Sequence, residues 1–171
     1  MLSVIRRAVA VASLVMVSAS VAQAQVKVEE IRLDLVNFVS QDGLRVFGVG
    51  APGAVAIGIY LNDKIALEPS LSFANIKADG FDAENVIQFG LFAPYYIAGD
   101  RGRSGLFIAP GLNISKFGDA DAEIDFGTDV GLKKKMSDKV SWRAALGVRT
   151  GDSTADELRI GGTFGFSVFW R

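Results

Sequence analysis

Apolar residues recur at every second position along almost the whole chain. Ile31, Leu33 and Leu35 are followed by Phe47, Val49, Val55, Ile57, Ile59 and Leu61, and then by Ile65, Leu67, Leu71 and Phe73. Ile87, Phe89, Leu91, Ala93 and Tyr95 form the next set, and Leu106, Ile108, Leu112 and Ile114 the one after it. Ile124, Phe126, Val130 and Leu132 lead into Val140, Trp142, Leu146 and Val148, and Leu158, Ile160, Phe164, Phe166, Val168 and Trp170 close the series. A period of two is the signature of β-strands, whose successive side chains point to opposite faces. Between the runs lie Ser40-Gln41-Asp42-Gly43, Asn62-Asp63-Lys64, Lys77 to Asp82, Gly99 to Gly105, Gly118 to Glu123, Lys134 to Lys139 and Thr150 to Glu157. These residues tolerate the backbone angles of tight turns. About eight strands joined by short links predict an antiparallel meander, because parallel crossovers need a dozen or more residues.

The intervening positions are polar and small. They include Arg32, Asp34, Gly48, Gly50, Ala54, Ala56, Gly58, Glu68, Ser70, Ser72, Gln88 and Gly90. Further on come Ala109, Gly111, Asn113, Ser115, Asp125, Gly127, Asp129, Gly131, Arg143, Ala145, Gly147, Arg149, Arg159, Gly161 and Gly165. Glycine weakens a water-facing strand, but it fits the crowded interior of an eight-stranded barrel, which is just wide enough for side chains to fill. The polar-and-small face therefore reads as the lumen and the apolar face as lipid-facing. On the apolar rows the nearest charges are Glu29, Arg45 and Lys116, at strand ends. Arginine or lysine at mid-depth on a lipid face costs about 2–4 kcal/mol. A soluble, lipocalin-like barrel that binds an apolar ligand would reverse the two faces. A spanning sheet must also close, since lipid leaves no partner for a free edge. All four prolines, Pro52, Pro69, Pro94 and Pro110, fall inside the strands, where bulges or shifted strand ends are expected.

The N-terminus reads as an export signal. Arg6 and Arg7 precede the apolar stretch Ala8 to Val21, and Ala22-Gln23-Ala24 offers a small-x-small cleavage site. Residues 1–24 are assigned to a cleaved signal peptide and residues 25–171 to a single barrel domain. No cysteine is present, so no disulfide framework or cysteine-linked lipid anchor is expected. The formal net charge of −1 offers no basic field for nucleic acid.

The last strand, from Leu158 through Gly161-Gly162-Thr163-Phe164-Gly165-Phe166-Ser167-Val168-Phe169-Trp170, resembles the closing strand of outer-membrane proteins, although Arg171 follows the terminal aromatic. Tyr60 to Pro69 is similar to a second-to-third-strand hairpin common in the same group. The mature chain as a whole resembles the small OmpA/OmpX-type outer membrane protein β-barrel domain. The resemblance implies a closed up-and-down transmembrane barrel, with its termini in the periplasm and outer-membrane lipid around it. It also implies recognition of the row Phe164, Phe166, Val168 and Trp170 by the outer-membrane assembly machinery, and roles in membrane integrity, adhesion or small-solute traffic. It carries no catalytic residues.

Without histidine or cysteine, Ser-His-Asp and Cys-His catalysis are excluded and typical zinc ligands are missing. No cofactor, metal or catalytic site is predicted, and the chain is expected to act as a monomer. The specific candidates are the luminal polar residues Arg32, Asp34, Glu68, Gln88, Asn113, Asp125, Asp129, Arg143, Arg149 and Arg159. Charges in a narrow lumen must be paired, so these predict a plug of ion pairs rather than an open, narrow solute channel. A turn centred near Met136 would set Asp129 against Arg143 or, with a small shift, Asp125 against Arg149. Gln88 would face Asn113. Arg149 and Arg159 would stand opposite each other, relieved by Asp152, Asp156 or Glu157. Tyr95, Tyr96, Trp142, Phe169 and Trp170 suit an interfacial aromatic girdle.

Overall fold

A computed structural model describes residues 27–40, 54–76, 84–97, 103–119, 121–151 and 158–170. The predicted signal peptide lies outside them. So do the first predicted turn, the stretch Phe47 to Pro52, and Asp152 to Glu157. Each period-two run forms a strand: β1 (Lys27–Ser40), β2 (Ala54–Tyr60), β3 (Ala66–Ile76), β4 (Glu84–Phe92), β5 (Tyr95–Tyr96), β6 (Gly105–Phe117), β7 (Glu123–Lys135), β8 (Val140–Gly151) and β9 (Leu158–Phe169). Strands adjacent in sequence pair antiparallel, apart from β4 and β5. The first and last strands meet through Ile31↔Val168 and Leu33↔Phe166. The circuit closes where β4 pairs β6.

β4 and β5 are one barrel strand interrupted at Ala93-Pro94. The register on β6 is the same on either side of the gap, with Phe92 facing Gly111 and Tyr95 facing Ile108. Pro94 and Pro110 flank this seam, and the Ala93 N–H donates to the Pro110 carbonyl at 2.8 Å. The barrel therefore has eight staves. Of the alternatives expected at the prolines, a shifted strand end is found at Pro94, where β4 stops at Phe92; Pro69 and Pro110 produce no register shift, and Pro52 lies outside the described residues. Pro69 faces Leu91 within β3, and the β2–β3 ladder lapses beside it between the pairs Ala56↔Ser70 and Ile59↔Leu67, with no change of register. The register shifts fall on β1 instead, between Val28 and Glu30 and between Asp34 and Val36.

The two faces have the polarity read from the sequence. Leu71, Phe73, Val130 and Leu146 are exposed, Phe73 by 61% and Leu146 by 63%, while Arg32, Asp34, Glu68 and Arg143 are buried. Leu61 departs from its row and is buried beside the β2–β3 turn, where its N–H donates to the Ile65 carbonyl at 2.9 Å. Both ends of the described chain lie at the same end of the barrel as the β2–β3 and β7–β8 turns, here called the terminal end; the Phe169 N–H donates to the Lys139 carbonyl at 2.8 Å. Tyr60, Phe92, Tyr96, Phe107 and Phe169 fill much of the bore toward this end.

Glycines make room for these rings. A Cβ on Gly131 would run into the Phe107 ring and lie 2.6 Å from the Ala144 carbonyl oxygen. Gly131→Val is therefore expected to abolish the compact, fast-migrating band of unboiled protein on a denaturing gel. Val130→Leu, at a position 57% exposed on the outer face, should retain that band.

Candidate functional site in the barrel lumen

The alternating pleat sends every second side chain of each stave into a bore only a few side chains wide. Charged residues entering from different staves therefore meet across it. Glu68 of β3 accepts from Arg32 of β1 and from Arg143 of β8, both through the same carboxylate oxygen. The Arg32 Nε also lies 3.0 and 3.1 Å from the two carboxylate oxygens of Asp34. Arg143 stacks on Phe107, its guanidinium carbon 4.1 Å from the ring centroid, a geometry that suits a weakly hydrated planar cation.

Toward the terminal end a second cluster forms. Lys133 of β7 is fully buried and pairs with Glu30 of β1. Its ammonium also donates to the hydroxyls of Tyr60 and Tyr96, each at 3.4 Å, and lies 4.9 Å from the centroid of the Phe169 ring. The Tyr60 hydroxyl donates to Glu30, and the Tyr96 hydroxyl donates to the second Glu68 oxygen at 3.5 Å. This last bond joins the two clusters into one network.

Toward the other end, Arg149 donates to Asp129 at 2.8 Å and stacks over Phe92 at 5.1 Å. Arg159 lies 3.5 Å from Asp125 and 3.7 Å from Glu123. Between these groups and Glu68 lies a cavity of about 30 Å³, lined among others by Arg32, Asp34, Ser72, Gln88, Asn113, Asp129 and Arg149. That is room for roughly two waters, against the ~300 Å³ or more of a small-molecule pocket.

All ten predicted luminal residues face the interior, but their pairing differs from the sequence expectation. The β7–β8 turn occupies residues 136–139, so the register is displaced from one centred on Met136. Lys133 stands opposite Arg143, Asp129 opposite Gly147 and Asp125 opposite Gly151. Asp129 reaches Arg149 diagonally, and Asp125 reaches Arg159 rather than Arg149. Gln88 faces Ser115, and Asn113 faces Gly90. Arg149 and Arg159 do stand opposite each other. They lie near the β7 carboxylates Glu123, Asp125 and Asp129; Asp152, Asp156 and Glu157 lie outside the described residues.

Two of the five predicted girdle residues, Tyr96 and Phe169, are buried in the lumen, whereas Tyr95 and Trp170 are exposed. Glu30, Tyr60, Tyr96 and Lys133 are the network members that sequence reasoning missed. For Lys133 the signal was present: it continues the inward phase of Asp129 and Gly131. Among the described residues no group of acidic side chains is placed to hold a metal ion.

No protein-family model and no curated protein matches the chain. Solved structures do. Neisserial surface protein A is 13% identical with a TM-score of 0.56, over 84% of this chain and 96% of that one. Ail, the attachment invasion locus protein of Yersinia pestis, solved in complex with the heparin analogue sucrose octasulfate, is 12% identical with a TM-score of 0.50, over 84% and 97%. The de novo designed TMB2.3 is 9% identical with a TM-score of 0.50, over 85% of this chain and 96% of that one.

The chain has the fold of a small outer-membrane β-barrel.

Its closed eight-staved circuit shares that fold, and the predicted up-and-down antiparallel architecture stands.

The network makes a stability prediction. Removing one partner of a buried ion pair strands the other charge, at a cost of about 3–5 kcal/mol. Lys133→Met should lower the unfolding free energy by about that amount in urea titrations of protein folded into lipid vesicles. Adding Glu30→Gln should recover a large share, because the amide oxygen still accepts from Tyr60 and no charge is left alone.

Proposed function

We propose that this protein is a non-enzymatic outer-membrane barrel with a structural or surface-interaction role, its lumen closed by the ion-pair network. The observation that carries this reading is Glu68, bound by Arg32 of β1 and, across the bore, by Arg143 of β8, and tied through Tyr96 to the Lys133–Glu30 pair. With this bridge in place the remaining space accommodates waters, not a solute. The exposed Phe73, Leu71, Val130 and Leu146 argue against a soluble barrel with an apolar ligand inside, which would carry such side chains within.

Outer-membrane barrels have short periplasmic turns and longer extracellular loops. The short β2–β3 and β7–β8 turns therefore assign the terminal end to the periplasm. The opposite end, where β6 joins β7 after Phe117, then faces outward as the contact surface. Neisserial surface protein A and the attachment protein Ail share the fold, in keeping with a surface role. The row of Phe164, Phe166 and Val168 on β9, with Trp170 just beyond its end, is the segment that the assembly machinery would read, and the barrel would act as a monomer.

Reconstitution into a planar lipid bilayer tests the closed lumen. The protein is expected to give no stable stepwise current, whereas the triple variant Arg32→Ala, Glu68→Ala, Arg143→Ala should give discrete steps. Stable steps from the unaltered protein would show that its lumen conducts and would end this reading.

A further inference from the structure

The two halves of the barrel repeat one another. Glu68 and Arg143 are 75 residues apart, and the same spacing relates whole ladders. It carries the pair Ile31↔Ile57 onto Leu106↔Leu132, and Val55↔Leu71 onto Val130↔Leu146. Two turns match bond for bond. The N–H groups of Leu61 and Asn62 donate to the Ile65 carbonyl, as those of Met136 and Ser137 donate to that of Val140. The Asn62 Oδ1 accepts from the N–H groups of Lys64 and Ile65, and the Ser137 Oγ from those of Lys139 and Val140. The next ladder slips by two positions, with Leu71 facing Phe89 but Leu146 facing Gly162. An even slip keeps every side chain on its own face.

Under this repeat the fourth stave is the counterpart of the eighth. Gln88-Phe89-Gly90-Leu91-Phe92-Ala93-Pro94-Tyr95 matches Thr163-Phe164-Gly165-Phe166-Ser167-Val168-Phe169-Trp170. Both segments open on a polar residue and run toward the terminal end. Phe89, Leu91 and Tyr95 are exposed on the outer face, as are Phe164, Val168 and Trp170, while Phe166 is half-buried. Gly90 and Gly165 are buried on the inner face, and a Cβ on either would collide with its neighbours. The two staves also hold the same place in the circuit. Each is the last of its half and pairs with the first stave of the other half, β4 with β6 and β9 with β1. Until that pairing forms, each carries an open edge beside its apolar row. β7 runs in the same direction and contains Phe126-Gly127, but Thr128 interrupts its outward row. Lys134 ends that row, and it belongs to the strand rather than to the turn expected from the sequence.

We infer that the fourth stave is a second docking segment for the outer-membrane assembly machinery, presenting Phe89, Leu91 and Tyr95 as the last segment presents Phe164, Phe166 and Trp170. This rests on the reading of the β9 row given above. In recognition by strand addition, the backbone bonds to an open edge give affinity and alternate side chains in pockets give specificity. Both segments offer the two features in the same phase. Docking at the fourth stave would also cover an edge that is open to mispairing until β6 arrives, where the ladder is already interrupted between Phe92 and Tyr95.

Three triple variants of the full chain test this. One carries Phe89→Ala, Leu91→Ala and Tyr95→Ala, the second Phe164→Ala, Phe166→Ala and Trp170→Ala, and the third, on β7, Phe126→Ala, Val130→Ala and Leu132→Ala. Each would be diluted from urea into vesicles with and without the assembly machinery, and the compact gel band followed with time. The quantity read is the ratio of the two folding rates. It is expected to stay high for the unaltered chain and the β7 variant, and to fall toward one for the other two. A fourth-stave variant that keeps the full ratio while the β9 variant loses it would overturn the second segment and leave the β9 reading intact. A β9 variant that keeps the ratio would end that reading and the inference with it. An equal loss in the β7 variant would also overturn the inference, because lost apolar surface alone would then account for the effect. Should the fourth-stave variant fold in neither vesicle, retention of the urea-unfolded chain on immobilised machinery decides. Weaker retention than that of the β7 variant supports the segment, and equal retention overturns it.

Discussion

A sheet in hydrocarbon cannot keep a free edge, because each unpaired N–H or C=O there lacks any partner. Everything else in this molecule follows from meeting that condition with eight staves. Closure requires β4 to find β6 and β1 to find β9. A circuit of eight leaves a bore that only side chains can fill. The filling must be small in some rows and large in others, hence glycines such as Gly131 beside rings such as Phe107. The lattice also tolerates faults where the ladder bonds are already absent. Pro94 and Pro110 share a single seam, so two missing donors cost one interruption and no change of register.

Charge inside the bore is the second consequence. A carboxylate in so narrow a space is stable only when bonded from more than one side, and the curvature of the wall supplies those sides. Glu68 draws on β1 and β8, staves that are not its neighbours in the sheet. Lys133 and Glu30 likewise join β7 to β1 across the interior. Such ties cross-brace the barrel, whereas hydrogen bonds between adjacent strands act only around its circumference.

The sequence carried the architecture because the decisive signal, a period of two, is local. It also carried the inward direction of all ten predicted luminal residues, since direction follows from phase alone. Partner choice was harder to read, for two physical reasons. Pairing along β7–β8 depends on where the turn sits, and a turn at residues 136–139 replaces the expected Asp129–Arg143 pair by Lys133 opposite Arg143. Contacts across the bore, such as Arg143 with Glu68, depend on barrel diameter, which no linear pattern encodes. Glu30, like Lys133, carried its signal: it continues the inward phase of Arg32 and Asp34, and the register shift on β1 lies before it, between Val28 and Glu30. Tyr96 and Phe169 look like girdle residues by type, but their phase sends them inside.

Arg149 and Arg159 occupy opposing positions on β8 and β9. Like charges directly opposite each other disfavour pairing, and this pair sits beside the connection that joins the two strands. The carboxylates that face them, Glu123, Asp125 and Asp129, all arrive on β7. Carboxylates of this third strand thus brace both strands of the C-terminal hairpin, so the last three strands are tied together by charge as well as by ladder bonds.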